Sequence, residues 1–361
     1  MRPLLTIRVP GKVLLTGEYA VLDGAPAIAA AVSRFVTCRA VPAGTFEISG
    51  AGAFWREGGA EVPELSFACE ALRIARLYVQ GIGAQLPAVR LELTDDLRAP
   101  DGQKLGLGGS ACVCAAVVSA VLGLAAAPLD PGREKGLQRT FQLAACAHVG
   151  AQGKMGSSVD VAASVFRGVI QTQKFDAAPL NSAASQGAAA FARAVDEAPI
   201  HPIRHLPAPE RLLLLFGGRS ASTPVHVASV KEAARRHPDE WRIFVKESAA
   251  ATWALAQALG AKDHAGILQS VERSFAALDA FAPLTGIEIT PARHRQFREA
   301  ARRMGAAAKP SGAGGGDVAY AVGDGPSLER LLEHLEASEN VAFMADIVPP
   351  EPLAGAPHPA Q

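Results

Sequence analysis

The stretch Lys104-Leu-Gly-Leu-Gly-Gly-Ser-Ala111 leads straight into a long apolar segment. Gly106, Gly108 and Gly109 let the backbone approach a ligand closely. Free N–H groups at the start of the following helix would point at that ligand, which favours phosphate. Ser110 can cap the helix or ligate a metal. The loop is not a Walker A motif, because no Gly-Lys-Ser/Thr closes it. Ala111 stands where a dinucleotide fingerprint would have its third glycine. A plain glycine turn with a capping serine is the competing reading.

Four further stretches carry residues of chemical interest. Lys309-Pro-Ser-Gly-Ala-Gly-Gly-Gly-Asp317 sits between a helix and a strand, so it reads as a close backbone approach to a ligand or as a linker. Lys12, in the apolar segment Pro10–Val21, is either a snorkelling surface lysine or a lysine held near phosphates. Asp160, in Gly153–Ala163, either faces solvent or pairs with an internal lysine, and Ser157 and Ser158 can cap its helix. Arg219-Ser-Ala-Ser-Thr-Pro224 is a Ser/Thr-rich turn before a helix, or a set of hydroxyl donors for a polar ligand.

The elements that must position these residues follow from periodicity. Leu4–Val9 alternates like a strand, and Pro10-Gly11 is expected to break it. Phe35–Val41, Val89–Leu93 and 168–173 read as further strands, and Leu14–Ala31 is apolar without a clear period. Ser66–Val79, Ser110–Leu124, Leu137–His148 and Met155–Phe166 read as helices. Residues 176–210 are rich in Ala, Ser and Pro, and a domain junction is expected there. Beyond it, Leu212–Phe216, Val318–Val322 and Val341–Val348 read as strands. Val227–Arg236, Glu240–Leu259, Ala265–Phe281, Pro291–Arg303 and Leu328–Leu335 read as helices. The class is α+β, because strands and helices do not alternate strictly.

The chain has 361 residues, which suggests about two domains. It is 49% hydrophobic, enough for a sizeable core and against whole-chain disorder. Lys plus Arg and Asp plus Glu are 35 each, so no nucleic-acid partner is implied, while a local pocket for a small anion stays open. Cys38, Cys69, Cys112, Cys114 and Cys146 form no CxxC pair. They read as reduced core thiols of a cytoplasmic protein. The N-terminus has no signal-peptide pattern, and Ala111–Pro128 is too short to span a membrane.

Taken together, Pro10–Val21, Lys104–Ala111 and Lys309–Asp317 resemble the three ordered motifs of the GHMP kinases over nearly the whole chain. Within that superfamily the chain is most similar to the phosphomevalonate kinases. Glu18-Tyr19-Ala20-Val21 resembles their first motif, where mevalonate kinases usually have His in place of Tyr19. Ala151–Ala163 resembles their acceptor segment, and Ser220–Pro224 and Ser311–Asp317 their C-terminal signatures. In one departure, many relatives have two serines where this chain has Gly109-Ser110.

The resemblance implies a ribosomal-protein-S5-like N-terminal domain over 1–200 and a ferredoxin-like C-terminal domain over 201–348, while the Pro-rich tail over 349–361 reads as disordered from its composition. It implies MgATP-dependent phosphoryl transfer to (R)-5-phosphomevalonate. A kinase of mevalonate or another small alcohol, and a non-catalytic GHMP-fold regulator, are the alternatives. Lys12 and Asp160 would be catalytic. Lys104, Gly106, Leu107, Gly108, Gly109, Ser110 and Ala111 would hold ATP, with Ser110 on Mg²⁺ and no acidic metal ligand located. Besides Lys12, the acceptor site would draw on Glu18, Tyr19, Lys154, Ser157, Ser158 and Ser222, and on Ser311, Gly312, Ala313 and Gly314. No membrane partner is implied, and a homodimer is compatible with the resemblance.

Overall fold

The structure, a computed structural model, describes residues 3–125, 134–153, 156–219, 223–338 and 341–350. Two long strands, β1 (Leu5–Thr16) and β2 (Ala27–Pro42), pair antiparallel from Leu5↔Ala40 to Thr16↔Ile28. Pro10-Gly11 does not break β1, contrary to the sequence expectation. The register shifts there instead, forming a bulge that a proline tolerates. Nor does β2 wait for Phe35. Ala27–Val32 is buried on both faces, so it shows no alternation from which a strand could be read.

Next come β3 (Glu47–Gly50), β4 (Ala53–Arg56), α1 (Ser66–Gly81) and β5 (Val89–Asp95). They are followed by α2 (Gly109–Leu124), α3 (Glu134–Gln152), α4 (Val159–Phe166) and β6 (Val169–Thr172). The helix expected from Met155 thus begins at Val159, and Met155 itself lies outside the described residues. α2 is apolar all round and packs against β1, β2, α1 and α3, as such a helix must.

The Ala-rich stretch near position 190 is ordered. It forms α5 (Ala178–Ser185), α6 (Ala188–Glu197) and β7 (Arg204–Leu206), with Leu180, Phe191 and Val195 buried. β7 pairs with β6, so the sheet order is β4-β3-β5-β2-β6-β7, with β1 on the remaining side of β2.

The second sheet begins at β8 (Arg211–Phe216). Four helices follow: α7 (Thr223–Arg236), α8 (Pro238–Ala261), α9 (His264–Phe281) and α10 (Ala292–Arg303). The chain then adds β9 (Ala307–Pro310), β10 (Val318–Val322), α11 (Gly325–Glu336) and β11 (Ala342–Asp346). The order β11-β8-β10-β9, all antiparallel, is the ferredoxin-like β-α-β-β-α-β arrangement with extra helices in its first crossover.

Leu213 and Leu215 face α10 and α11, while Leu212, Leu214 and Phe216 join the core of the first sheet. The sheets also meet through a Val32↔Ile347 bridge, flanked by a Val348 N–H donating to Ala31 O at 2.9 Å. Among the described residues no helix is long and apolar enough to cross a membrane. The tail from 351 on lies outside the described residues.

Candidate active site

Lys12 sits just past the β1 bulge, and its N–H donates to Leu107 O at 2.9 Å. That bond draws the glycine loop against the strand. The lysine stem lies over Gly108, where a Cβ would come within 3.0 Å of Lys12 Cε. Gly108 also has φ +80, a conformation that disfavours a side chain. It is the N-cap of α2, and among the described residues no side chain caps the helix. The first-turn N–H groups of α2 are therefore unclaimed by side chains. Ser110 lies one residue inside the helix and is not its cap. Its Oγ is 3.0 Å from His148 Nε2 on α3. Burial lowers the His148 pKa, which favours the neutral ring. Leu107 and Ala111 are buried, so they offer a ligand backbone groups only. Lys104 is exposed, with its backbone bridged to Arg98.

The second glycine-rich stretch joins β9 to β10 and is anchored throughout, unlike a linker. Ser311 Oγ accepts from Leu14 N–H at 2.9 Å, and Gly315 N–H donates to Ile289 O at 2.9 Å. Ala313 O accepts from the Tyr19 hydroxyl at 2.6 Å and lies 2.9 Å from His226 Nδ1. This loop meets the first. A Cβ on Gly106 would lie 2.7 Å from Asp317 Cβ, and one on Gly312 3.9 Å from Lys12 Nζ. Lys12 therefore stands between two glycine loops.

Asp160, in the first turn of α4, places Oδ1 3.4 Å from Lys12 Nζ. The lysine side chain is 5% exposed and the aspartate 43%, so the carboxylate faces solvent. The helix is entered through Ser158, which has φ 60 and a buried Oγ without a hydrogen-bond partner among the described residues. Ser157 Oγ accepts weakly from Val159 N–H at 3.4 Å. Neither serine therefore closes a good cap. Lys154 and Ser222 lie outside the described residues.

Three residues expected to touch the acceptor do something else, Ser311 first, since its buried Oγ is engaged by the Leu14 N–H. The Glu18 carboxylate is buried in an ion pair with Lys309, so it cannot reach a ligand in the cleft. Burial raises the Glu18 pKa and lowers that of Lys309, and each partner opposes the shift of the other. Tyr19 is buried with φ 58, and its hydroxyl is committed to Ala313 O. Burial first, then the Glu18 charge, holds its pKa well above the usual phenol range. Glu18 and Tyr19 both hold the second glycine loop in place. The sequence reading missed His148, His226 and the partner of Lys309. Of these only Lys309 left a signal, since a lysine in the apolar run Ala306–Pro310 demands a buried partner.

Residues 68–168 match the family model described as GHMP kinases N terminal domain. Phosphomevalonate kinase of Streptomyces sp. (strain CL190) is 31% identical over 90% of this chain and 91% of that protein. Among solved structures, a Lin0012 protein from Listeria innocua superposes with a TM-score of 0.85 at 24% identity, over 94% of this chain and 96% of that one. Streptococcus pneumoniae phosphomevalonate kinase in complex with phosphomevalonate and AMPPNP gives 0.81 at 21% identity, over 95% and 99%. With a full-length relative at that identity and the same two-sheet fold around the glycine loops, this chain belongs to the phosphomevalonate kinase family of the GHMP kinases.

Proposed function

We propose that the protein transfers the γ-phosphoryl group of ATP to the phosphate of (R)-5-phosphomevalonate, giving ADP and (R)-5-diphosphomevalonate. The observation that carries this reading is Lys12, held by Asp160 between two glycine loops. Backbone N–H groups from Gly106 to Ala111 would hold the nucleotide phosphates at the start of α2. Lys12 Nζ would neutralise charge building between donor and acceptor.

The acceptor phosphate has a second pKa of about 6, so it arrives ionised near neutral pH and needs no general base. One of its oxygens attacks the γ-phosphorus, and the bond to the β–γ bridging oxygen breaks with ADP as leaving group. Asp160 then orients Lys12 instead of removing a proton. Ser157 and the backbone of Gly312–Gly314 would grip the acceptor, together with Lys154 and Ser222, whereas the Ser158 Oγ is buried away from it. Most of the catalytic demand is positioning and charge stabilisation.

Mg²⁺ fits the donor set at Ser110, whose proton can go to neutral His148 and leave its oxygen lone pairs free. When bound with the nucleotide, the ion neutralises phosphate charge. Two separate sheets support the proposed division into domains over 1–200 and 201–348, and β7 (Arg204–Leu206), which belongs to the first sheet, argues for moving the boundary a few residues later, between β7 and β8. Five free cysteines support a reducing, cytoplasmic location.

The test is an ATP-coupled assay offering phosphomevalonate, mevalonate, homoserine and galactose in parallel. Turnover with phosphomevalonate should exceed that with mevalonate by at least about tenfold, roughly 1.4 kcal/mol of transition-state stabilisation. Equal or better turnover of mevalonate would overturn the acceptor assignment. The nucleotide loop has its own test. Gly108→Val should weaken ATP binding strongly in calorimetric titration, because the new branch meets the Lys12 stem and the φ resists it. Undiminished affinity in a folded variant would reduce the loop to a turn.

A further inference from the structure

Ser110 has one hydroxyl proton and two oxygen lone pairs, and a cation can use only the lone pairs. A serine in the first turns of a helix can turn that proton in several directions, including toward its own backbone. Here the direction is set from outside the helix. His148 Nε2 lies 3.0 Å from Oγ, presented from α3 behind α2. The ring cannot swing freely, because it packs beside Phe67 with centroids 5.4 Å apart.

We propose that His148 is a positioning residue that accepts the Ser110 proton at Nε2 and so turns the serine lone pairs toward the divalent cation accompanying the nucleotide. This rests on the reading of Ser110 as a metal ligand. The ring proton then resides on Nδ1, and the ring does not touch the metal or either substrate. Partners one shell out from a ligand commonly set its orientation and its proton, and their loss typically weakens metal affinity by about 10–100-fold.

The experiment is calorimetric titration of the full-length protein with ADP, in Mg²⁺ and in EDTA. His148→Phe should leave the affinity in EDTA within about twofold of wild type while removing roughly 10-fold or more of the gain from Mg²⁺. His148→Gln, which can return an acceptor near the Nε2 position, should recover most of that gain. If the Phe variant does not fold, His148→Asn fits the same space without reaching Oγ and gives the same readout. Ser110→Ala should show the same loss, and adding His148→Phe to it should change nothing further. If Ser110→Ala loses the Mg²⁺ gain while the folded Phe and Asn variants keep it, the role of His148 is overturned and the serine reading stands. If Ser110→Ala keeps the gain, the serine reading falls, and this inference with it.

Discussion

Lys12→Met should lower kcat with phosphomevalonate by roughly 10²–10³-fold, the range for removing one preorganised electrostatic group. Methionine keeps an unbranched stem to lie over Gly108, so the loop and the fold should survive. Asp160 lies 3.4 Å from the ammonium and is partly solvated, so losing the lysine does not strand a buried charge. Asp160→Asn should cause a loss of at least about 10²-fold through the same lysine, which would then be misplaced. Groups that act as one unit are strongly non-additive. The double variant should therefore be little worse than Lys12→Met alone. Measuring kcat for all three variants decides the matter, and fully additive losses would show that Asp160 does not act through Lys12.

The largest stability effect should come from Lys309→Met. Glu18 and Lys309 are both nearly inaccessible to water, and removing one partner of such a pair costs about 3–5 kcal/mol. With an unfolding entropy of about 2.1 cal/mol/K per residue, a chain of 361 residues loses only about 1.3 °C in melting temperature per kcal/mol, so a fall of about 4–7 °C is expected. Adding Glu18→Gln removes the stranded charge and should recover a large part of the loss. Thermal melts of the two variants against wild type provide the check. A Lys309→Met variant melting with the wild type would mean that Glu18 is neutral in the folded protein and that no ion pair exists there.

The sequence made helices such as Ser66–Gly81 legible because one face alone is buried, which leaves a period to read. It hid the first half of β2, where every side chain from Ala27 to Val32 is inside. It also hid α5 and α6, whose few large apolar residues are diluted among alanines. The glycine loops, Lys12 and Asp160 could be picked out by residue type at the site. The duties of Glu18 and Tyr19 could not, because their partners lie 291 and 294 residues away. Local pattern identifies a side chain that can do chemistry. It does not say whether a distant segment has already claimed it.

The position of β8 between β10 and β11 has a consequence for biosynthesis. Both edges of this strand wait for segments that begin at Val318 and Ala342, roughly a hundred residues downstream. At about 5–20 residues per second, the ribosome leaves Leu-Leu-Leu-Leu-Phe216 unpaired for roughly 5–20 s. Unpaired apolar edges of this kind are where nascent chains aggregate. The helices α7 to α10 emerge during that interval. Of these, α10 packs on Leu213 and Leu215, so it can shield one face of the strand before any sheet exists.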